Sequence, residues 1–232
     1  MAQFDVRRVC RETGIEDIDY REVVSSTNDV ALQAVRESPD HTPHRPPHRP
    51  PHRPRLILAD RQQLGRGRGS NRWHSAEGCL TFSLIVDPPA DAAGAELPKL
   101  SLITALAARA ALVAHAGRHS LSLKWPNDLF LDGSKVGGIL IERPSSAVEG
   151  IVIGIGVNVN NDLSAAPSDV QRVATSLSRA TGVTADLNQV LIDILNSLTA
   201  TLANWTEVAA HLPKLWSPHC LLTGRTVTVR RE

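Results

Sequence analysis

The chain of 232 residues reads as one α+β domain. Three observations predict this class. Apolar stretches of strand length cluster as hairpins instead of alternating one by one with helices. Asp132-Gly133-Ser134-Lys135, between Leu129-Phe130-Leu131 and residues 136–142, is a hairpin signal. Hydrophobic residues make up 42% of the chain, enough for a core and too many for global disorder.

Taken in order, residues 1–19 are short and mixed in character, too brief for an independent module such as a helix-turn-helix. Residues 20–24 alternate and read as a strand. Ser25-Ser26-Thr27-Asn28 supplies helix-start chemistry, and a helix over 28–36 puts Val30, Ala31, Ala34 and Val35 on one face. Residues 38–54 are a Pro/His/Arg-rich insertion whose proline density forbids helix and sheet interior, so it is expected to be disordered. Leu56-Ile57-Leu58-Ala59 is a strand, as are residues 79–86, with a loop over 88–95. Residues 97–116 form an alanine- and leucine-rich helix ended by Gly117. Strands follow at 121–123, 129–131, 136–142 and 149–159, the last with glycines that suggest close backbone approach. Residues 175–180 and 187–208 read as helices, and residues 223–229 begin a new strand.

Several function classes are excluded early. Lys+Arg number 25 and Asp+Glu 24, so no basic excess marks a nucleic-acid binder. Aromatic residues are 3%, few platforms for stacking bases. Three widely separated cysteines suggest neither a disulfide framework nor a metal pair, so a reducing cytoplasm is the expectation. No signal peptide and no apolar run of spanning length is evident, which predicts no membrane association.

The segment with most chemistry follows the Leu56–Ala59 strand: Gln62-Gln63-Leu64-Gly65-Arg66-Gly67-Arg68-Gly69-Ser70-Asn71-Arg72-Trp73. Glycine admits a ligand close to the backbone, and arginine pairs with phosphate or carboxylate through two parallel bonds. Such a loop either wraps an anion or is a plain solvated loop. Lys124-Trp125-Pro126-Asn127-Asp128 is a second polar motif at a strand end. Asn127 and Asp128 either close a turn or meet a ribose or hydrated Mg²⁺. Lys135 is either a solvated loop lysine or a cation placed at developing charge.

Ser26-Thr27-Asn28, Gln62-Gln63-x-Gly65-Arg66-Gly67-Arg68, Trp73, Lys124-Trp125-Pro126-Asn127-Asp128, Lys135 with Gly137-Gly138-Ile139-Leu140, and Gly154-x-Gly156-x-Asn158 occur together in order. In this the chain resembles biotin protein ligases over residues 20–216. The resemblance implies a mixed, largely antiparallel sheet flanked by helices, similar to the catalytic core of class II aminoacyl-tRNA synthetases. It implies a catalytic domain at 1–216 and, at 217–232, the start of a truncated small β-barrel-like domain. The implied reaction joins biotin and ATP, with Mg²⁺, into biotinyl-5′-AMP, then transfers biotin to a lysine of a biotin carboxyl carrier domain.

The same resemblance assigns Ser26, Thr27, Asn28 and Gln62 to the biotin pocket, and Gly65, Arg66, Gly67 and Arg68 to the loop over biotin and the α-phosphate. It places Lys135 beside the biotin carboxylate, Trp73 over the adenine, and Gly137, Gly138, Gly154, Gly156 and Asn158 around the adenylate; Asn127 stays a substrate-binding candidate on its turn position. Lys135, Arg68 and Asp128 are the expected catalytic groups; no metal ligand is assigned. A homodimer is compatible with the resemblance, and no DNA partner is implied. Ser70 and Asn71 depart from the family's usual loop, which carries Gly and Arg there. Lipoate or octanoyl transfer, a truncated biotin-binding protein without full activity, and a nucleic-acid-binding protein are the competing readings.

Overall fold

The computed structural model describes residues 3–37, 54–88, 97–144 and 150–228. The insertion over 38–53, most of the 88–95 loop and residues 229–232 lie outside that description. Seven strands build the sheet: β1 (Asp17–Val24), β2 (Arg55–Gln62), β3 (Cys79–Val86), β4 (Leu121–Lys124), β5 (Asp128–Leu131), β6 (Ser134–Glu142) and β7 (Ile151–Asn158). Their spatial order is β1-β2-β3-β7-β6-β5-β4. β1 and β2 are parallel, and every other neighbouring pair is antiparallel. The sheet is therefore mixed and largely antiparallel, as expected.

Helices cover the two faces unequally. α1 (Val6–Thr13), α3 (Leu97–Ala116), the short α5 (Leu177–Thr181), α6 (Leu187–Ala203) and α7 (Trp205–Trp216) belong to the main core with Leu56, Leu58, Phe82, Leu84, Ile153 and Ile155. α2 (Thr27–Arg36) packs on the other face, setting Ala31, Leu32 and Val35 against Ile57, Ile85 and Val152. Alternation along each strand sends successive side chains to opposite faces. On α2's side, beyond the end of that helix, the sheet is left open, and the candidate site lies there.

The structure corrects several sequence expectations. Residues 6–13 are helical: the Asp5 carboxylate accepts the Arg8 N–H at the N-terminus, and Gly14 at φ 71 ends the helix. Its single buried residue, Val9, gave too little apolar pattern to read. The helix over 187–208 is two helices. Asn204 leaves helical geometry (φ −106, ψ 28), so α7 departs in a new direction and buries Trp205, Leu212 and Trp216.

Residues 223–228 form turn and irregular chain, not a strand. The sheet-like contact in this region comes earlier, where Cys220 pairs with Leu123 and the Leu221 N–H donates to the Leu123 carbonyl at 2.8 Å, partly covering the β4 edge. α3 does contain a stretch of spanning length, Pro98–Ala116, with mean hydropathy 1.3. Alanine dominates it, and Ser101, Thr104, Arg109 and His115 interrupt its apolar run. It is a core helix here, contacting α6, α7 and the β4–β6 strands. Lys135 is not in the hairpin turn; Asp132 (φ 48) and Gly133 (φ 82) make the turn, and Lys135 is already on β6.

Candidate active site

One cavity of about 300 Å³ opens on the exposed half of the α2 face. It is lined by Ser26, Thr27, Asn28, Gln62, Arg66, Gly67, Arg68, Trp73, Asn127, Asp128, Lys135, Gly138, Gly154, Gly156 and Asn158. Residues from five separate stretches of sequence are thus brought to one place. Gly65 and Gly137 are not among the lining residues. A Cβ at Gly65 would meet the Trp73 carbonyl at 2.5 Å, so that glycine supports the loop stem. A Cβ at Gly137 would meet the Gly156 carbonyl at 2.9 Å and the Leu129 side chain at 3.0 Å, toward the core.

The α2 end of the cavity is a polar network. Ser26 occupies the N-cap position yet makes no side-chain capping bond, so its buried hydroxyl is not committed to the helix. The Thr27 N–H donates to Gln62 Oε1 at 2.7 Å. The Ser83 hydroxyl lies 2.8 Å from Thr27 Oγ1 and 2.6 Å from Asn28 Oδ1. Asn28 Nδ2 donates to Glu142 Oε2 at 2.7 Å. Buried polar groups linked this way are held in fixed orientations, which suits recognition of a small polar ring. Ser83 and Glu142 went unremarked in the sequence because both sit in strands read only as apolar.

Gly154 is what lets Asn28 lie on the sheet, because a Cβ there would overlap the Asn28 carboxamide. Gly154→Ala is accordingly expected to destabilise the fold by about 1–3 kcal/mol through overpacking. Denaturant unfolding checks this, and an unchanged midpoint would mean that Asn28 has room to move aside. Gly156 does the same for Trp73: a Cβ would come 2.5 Å from the indole, which therefore rests on the β7 backbone. The Trp73 indole N–H is buried without an acceptor among the described residues.

At the other end, a β-bulge sets Lys135. Phe130 pairs with Lys135 while Leu129 pairs with Gly137, so Val136 is an extra residue in β6. A bulge shifts the alternation by one and re-aims a side chain. Lys135 thereby shares the cavity with Gly138 despite their odd spacing. Its ammonium lies 2.6 Å from Asp128 Oδ1, and a Cβ at Gly138 would sit 3.6 Å from Nζ. Asp128 thus holds Lys135 in place.

Asn127 has a structural task, since its Nδ2 donates to the Ile139 carbonyl at 2.7 Å and its carbonyl accepts the Ile139 N–H. This braces the turn containing the cis Trp125–Pro126 bond onto β6. The short helix α4 (Ser168–Val173), absent from the sequence reading, supplies a further wall with Asp169, Val170 and Val173. Ala174 forms a bridge with Lys135, the Thr175 N–H donates to the Lys135 carbonyl, and Asn158 Nδ2 donates to the Thr175 carbonyl. From Lys135 to Leu140 the cavity follows about 17 Å of strand.

The glycine-rich loop folds back over this cleft. Arg66 bridges Arg72, the Gly67 N–H donates to the Asn71 carbonyl at 2.8 Å, and the Trp73 N–H donates to the Gly65 carbonyl at 2.9 Å. Asn71, one of the departures noted above, closes the tip by donating its Nδ2 to the Arg68 carbonyl at 2.8 Å. Arg68 is exposed at that tip and has no ion-pair partner among the described residues. Arg66 differs: its guanidinium is shared by Glu142 and Asp29. Burial opposes its charge, but these carboxylates outweigh burial and raise its pKa. Among the described residues no group of three His, Cys, Asp or Glu side chains is placed to hold a resident metal ion.

Residues 20–158 match the model of the "Biotin/lipoate A/B protein ligase family". The chain is 34% identical to the bifunctional ligase/repressor BirA of Bacillus spizizenii over 91% of its own length and 62% of that protein. It is 32% identical to the biotin–[acetyl-CoA-carboxylase] ligase of Mycobacterium tuberculosis, over 75% of its own length and 64% of that protein. The chain thus spans somewhat under two thirds of these relatives. A biotin protein ligase from Aquifex aeolicus in complex with biotin and ATP superposes with a TM-score of 0.69 at 28% identity, covering 89% of this chain and 79% of that one. The matched segment begins in β1 and ends at Asn158, enclosing the glycine-rich loop, Lys135 and the three strands at the centre of the cleft: the chain belongs to the biotin/lipoate A/B protein ligase family.

Proposed function

We propose that the chain is an ATP-dependent biotin protein ligase. In the first step a biotin carboxylate oxygen attacks the α-phosphorus of ATP, the bond to pyrophosphate breaks, and biotinyl-5′-AMP forms. In the second a lysine amine of a biotin carboxyl carrier domain attacks the acyl carbon, AMP leaves, and the amine gives up its proton. The observation that carries this reading is the joining of the Thr27–Gln62–Ser83–Asn28 network and the cations Lys135 and Arg68 in one cleft. The network offers fixed donors and acceptors to a cyclic urea. Asp128 orients the Lys135 ammonium, which lowers the repulsion between two anionic reactants.

The α4 wall and the indole on Gly156 offer apolar surface to an adenine. Mg²⁺ would arrive with the triphosphate and screen its charge. The free cysteines at 10, 79 and 220 agree with work in a reducing compartment, and we assign the reaction to the cytoplasm. The relatives' names, which specify biotin and an acetyl-CoA-carboxylase acceptor, favour biotin over lipoate. Labelled pyrophosphate should exchange into ATP when biotin is added and not when it is omitted. Exchange supported by lipoate and not by biotin would transfer the chain to the other branch of the family.

A further inference from the structure

Of the two arginines in the Gly65–Arg66–Gly67–Arg68 run, one is committed and the other has no ion-pair partner among the described residues, and the commitment has an identifiable source. Arg66 Nη1 donates to Glu142 Oε1 at 2.8 Å and Nη2 to Glu142 Oε2 at 2.6 Å, a two-pronged pair. Nη2 also meets Asp29 Oδ1 at 2.8 Å. One positive charge thus faces two negative ones, leaving this arginine little attraction to spare for an anionic ligand. Glu142 is fixed in turn by Asn28 Nδ2 and by its place at the end of β6, paired with Val152. Among the described residues the buried Arg66 Nε–H has no acceptor, so the two carboxylates are what hold the guanidinium. The attachment also sits at the stem of the loop, where Arg66 bridges Arg72.

We propose that Glu142, assisted by Asp29, is a positioning residue: it pins the glycine-rich loop at Arg66, so that only the tip carrying Arg68 moves during ligand capture. The loop then has a fixed stem on the sheet and a free cation at its end. This rests on the ligase reading for its kinetic consequence, but not for the anchor itself.

The anchor is tested first on the unliganded full chain by amide hydrogen exchange. Glu142→Gln keeps the size and an acceptor for Asn28 while removing the charge. It should speed exchange at the Gly67 and Trp73 amides by about tenfold, the worth of one charge-assisted hydrogen bond. Asp29→Asn, at a half-exposed position in the first turn of α2, should give a smaller increase without threatening the fold. Unchanged exchange in both variants would overturn the anchor.

The second arm measures kinetics. Glu142→Gln should raise KM for biotin about tenfold with a smaller change in kcat, because the stem borders the Asn28 pocket. Glu142→Asp should recover part of the loss. A fall in KM in Glu142→Gln would mean that Glu142 restrains a catalytic arginine, which would also overturn the proposal. Wild-type protein without biotin-dependent exchange of pyrophosphate would sink the ligase reading alone, since the amide measurements need no ligand.

Discussion

Lys135→Ala is expected to lower biotin-dependent pyrophosphate exchange by a factor of about 10² to 10³, the loss typical of removing one preorganised stabilising group. The reason lies in the charges that the first step brings together. A carboxylate and an α-phosphate about 4 Å apart repel by about 4 kcal/mol at an effective dielectric of about 20. Lys135 is the cation the sheet delivers to this point. The bulge at Val136 turns it into the cleft, Asp128 holds its ammonium at 2.6 Å, and Gly138 lies beside the pair.

Truncation removes that cation and leaves the Asp128 carboxylate alone in the cavity, so the site changes from balanced to repulsive. The effect should fall on kcat, because the interaction grows as charge develops. A thermal midpoint close to wild type would show that the fold is retained, since Lys135 contributes to no core cluster. Exchange at the wild-type rate in a folded Lys135→Ala protein would remove this residue from the chemistry.

The sequence disclosed the elements whose signals are local. β3 and α3 were delimited to the residue, one by the alternation that puts Leu80, Phe82, Leu84 and Val86 on one face and the other by its alanine content and the Gly117 that follows it. The hairpin at Asp132-Gly133 was legible for the same reason. Ser26-Thr27-Asn28, Gln62, Arg68 and Lys135 were reached through motif resemblance, and the cavity contains all of them.

What stayed hidden depends on distant partners. Nothing near Arg66 announces that Glu142, 76 residues away, will occupy its guanidinium. Ser83 reads as a polar interruption in a hydrophobic strand until β3 is laid beside α2 and β7. The bulge that re-aims Lys135 appears only in the pairing register of β5 and β6. Adjacent glycines such as Gly137 and Gly138 look equivalent in sequence, yet one borders Leu129 and the other borders the Lys135–Asp128 pair. The break of one expected helix at Asn204 likewise carries no strong helix-breaking residue, and the helix that follows buries Trp205 and Trp216.

Arg68→Ala is expected to let the activated intermediate escape before it is used. Biotinyl-5′-AMP is a mixed anhydride with one phosphate charge, and a cleft open to water would lose it by dissociation or hydrolysis. Arg68 sits at the exposed end of a turn closed by Asn71, carried by Gly67 and Gly69, the latter at φ 62. Its charge is not neutralised by an ion pair among the described residues, so an anionic intermediate offers it a partner. Closing the tip onto that phosphate would exclude solvent and slow departure together.

A charge-assisted hydrogen bond of about 1.5–3 kcal/mol corresponds to roughly 10- to 100-fold faster release when it is removed. The assay is direct: wild-type protein should biotinylate its carrier domain selectively, whereas Arg68→Ala should also label lysines of an added bystander protein. Amide protection over residues 67–72 should rise with biotin and ATP in the wild type and rise less in the variant. Because Arg66 remains tied to Glu142 in both, the stem should be equally protected before ligand is added. A variant that leaks no more intermediate than wild type would mean that the tip does not close, and that retention is the work of the cleft walls formed by α4 and Trp73.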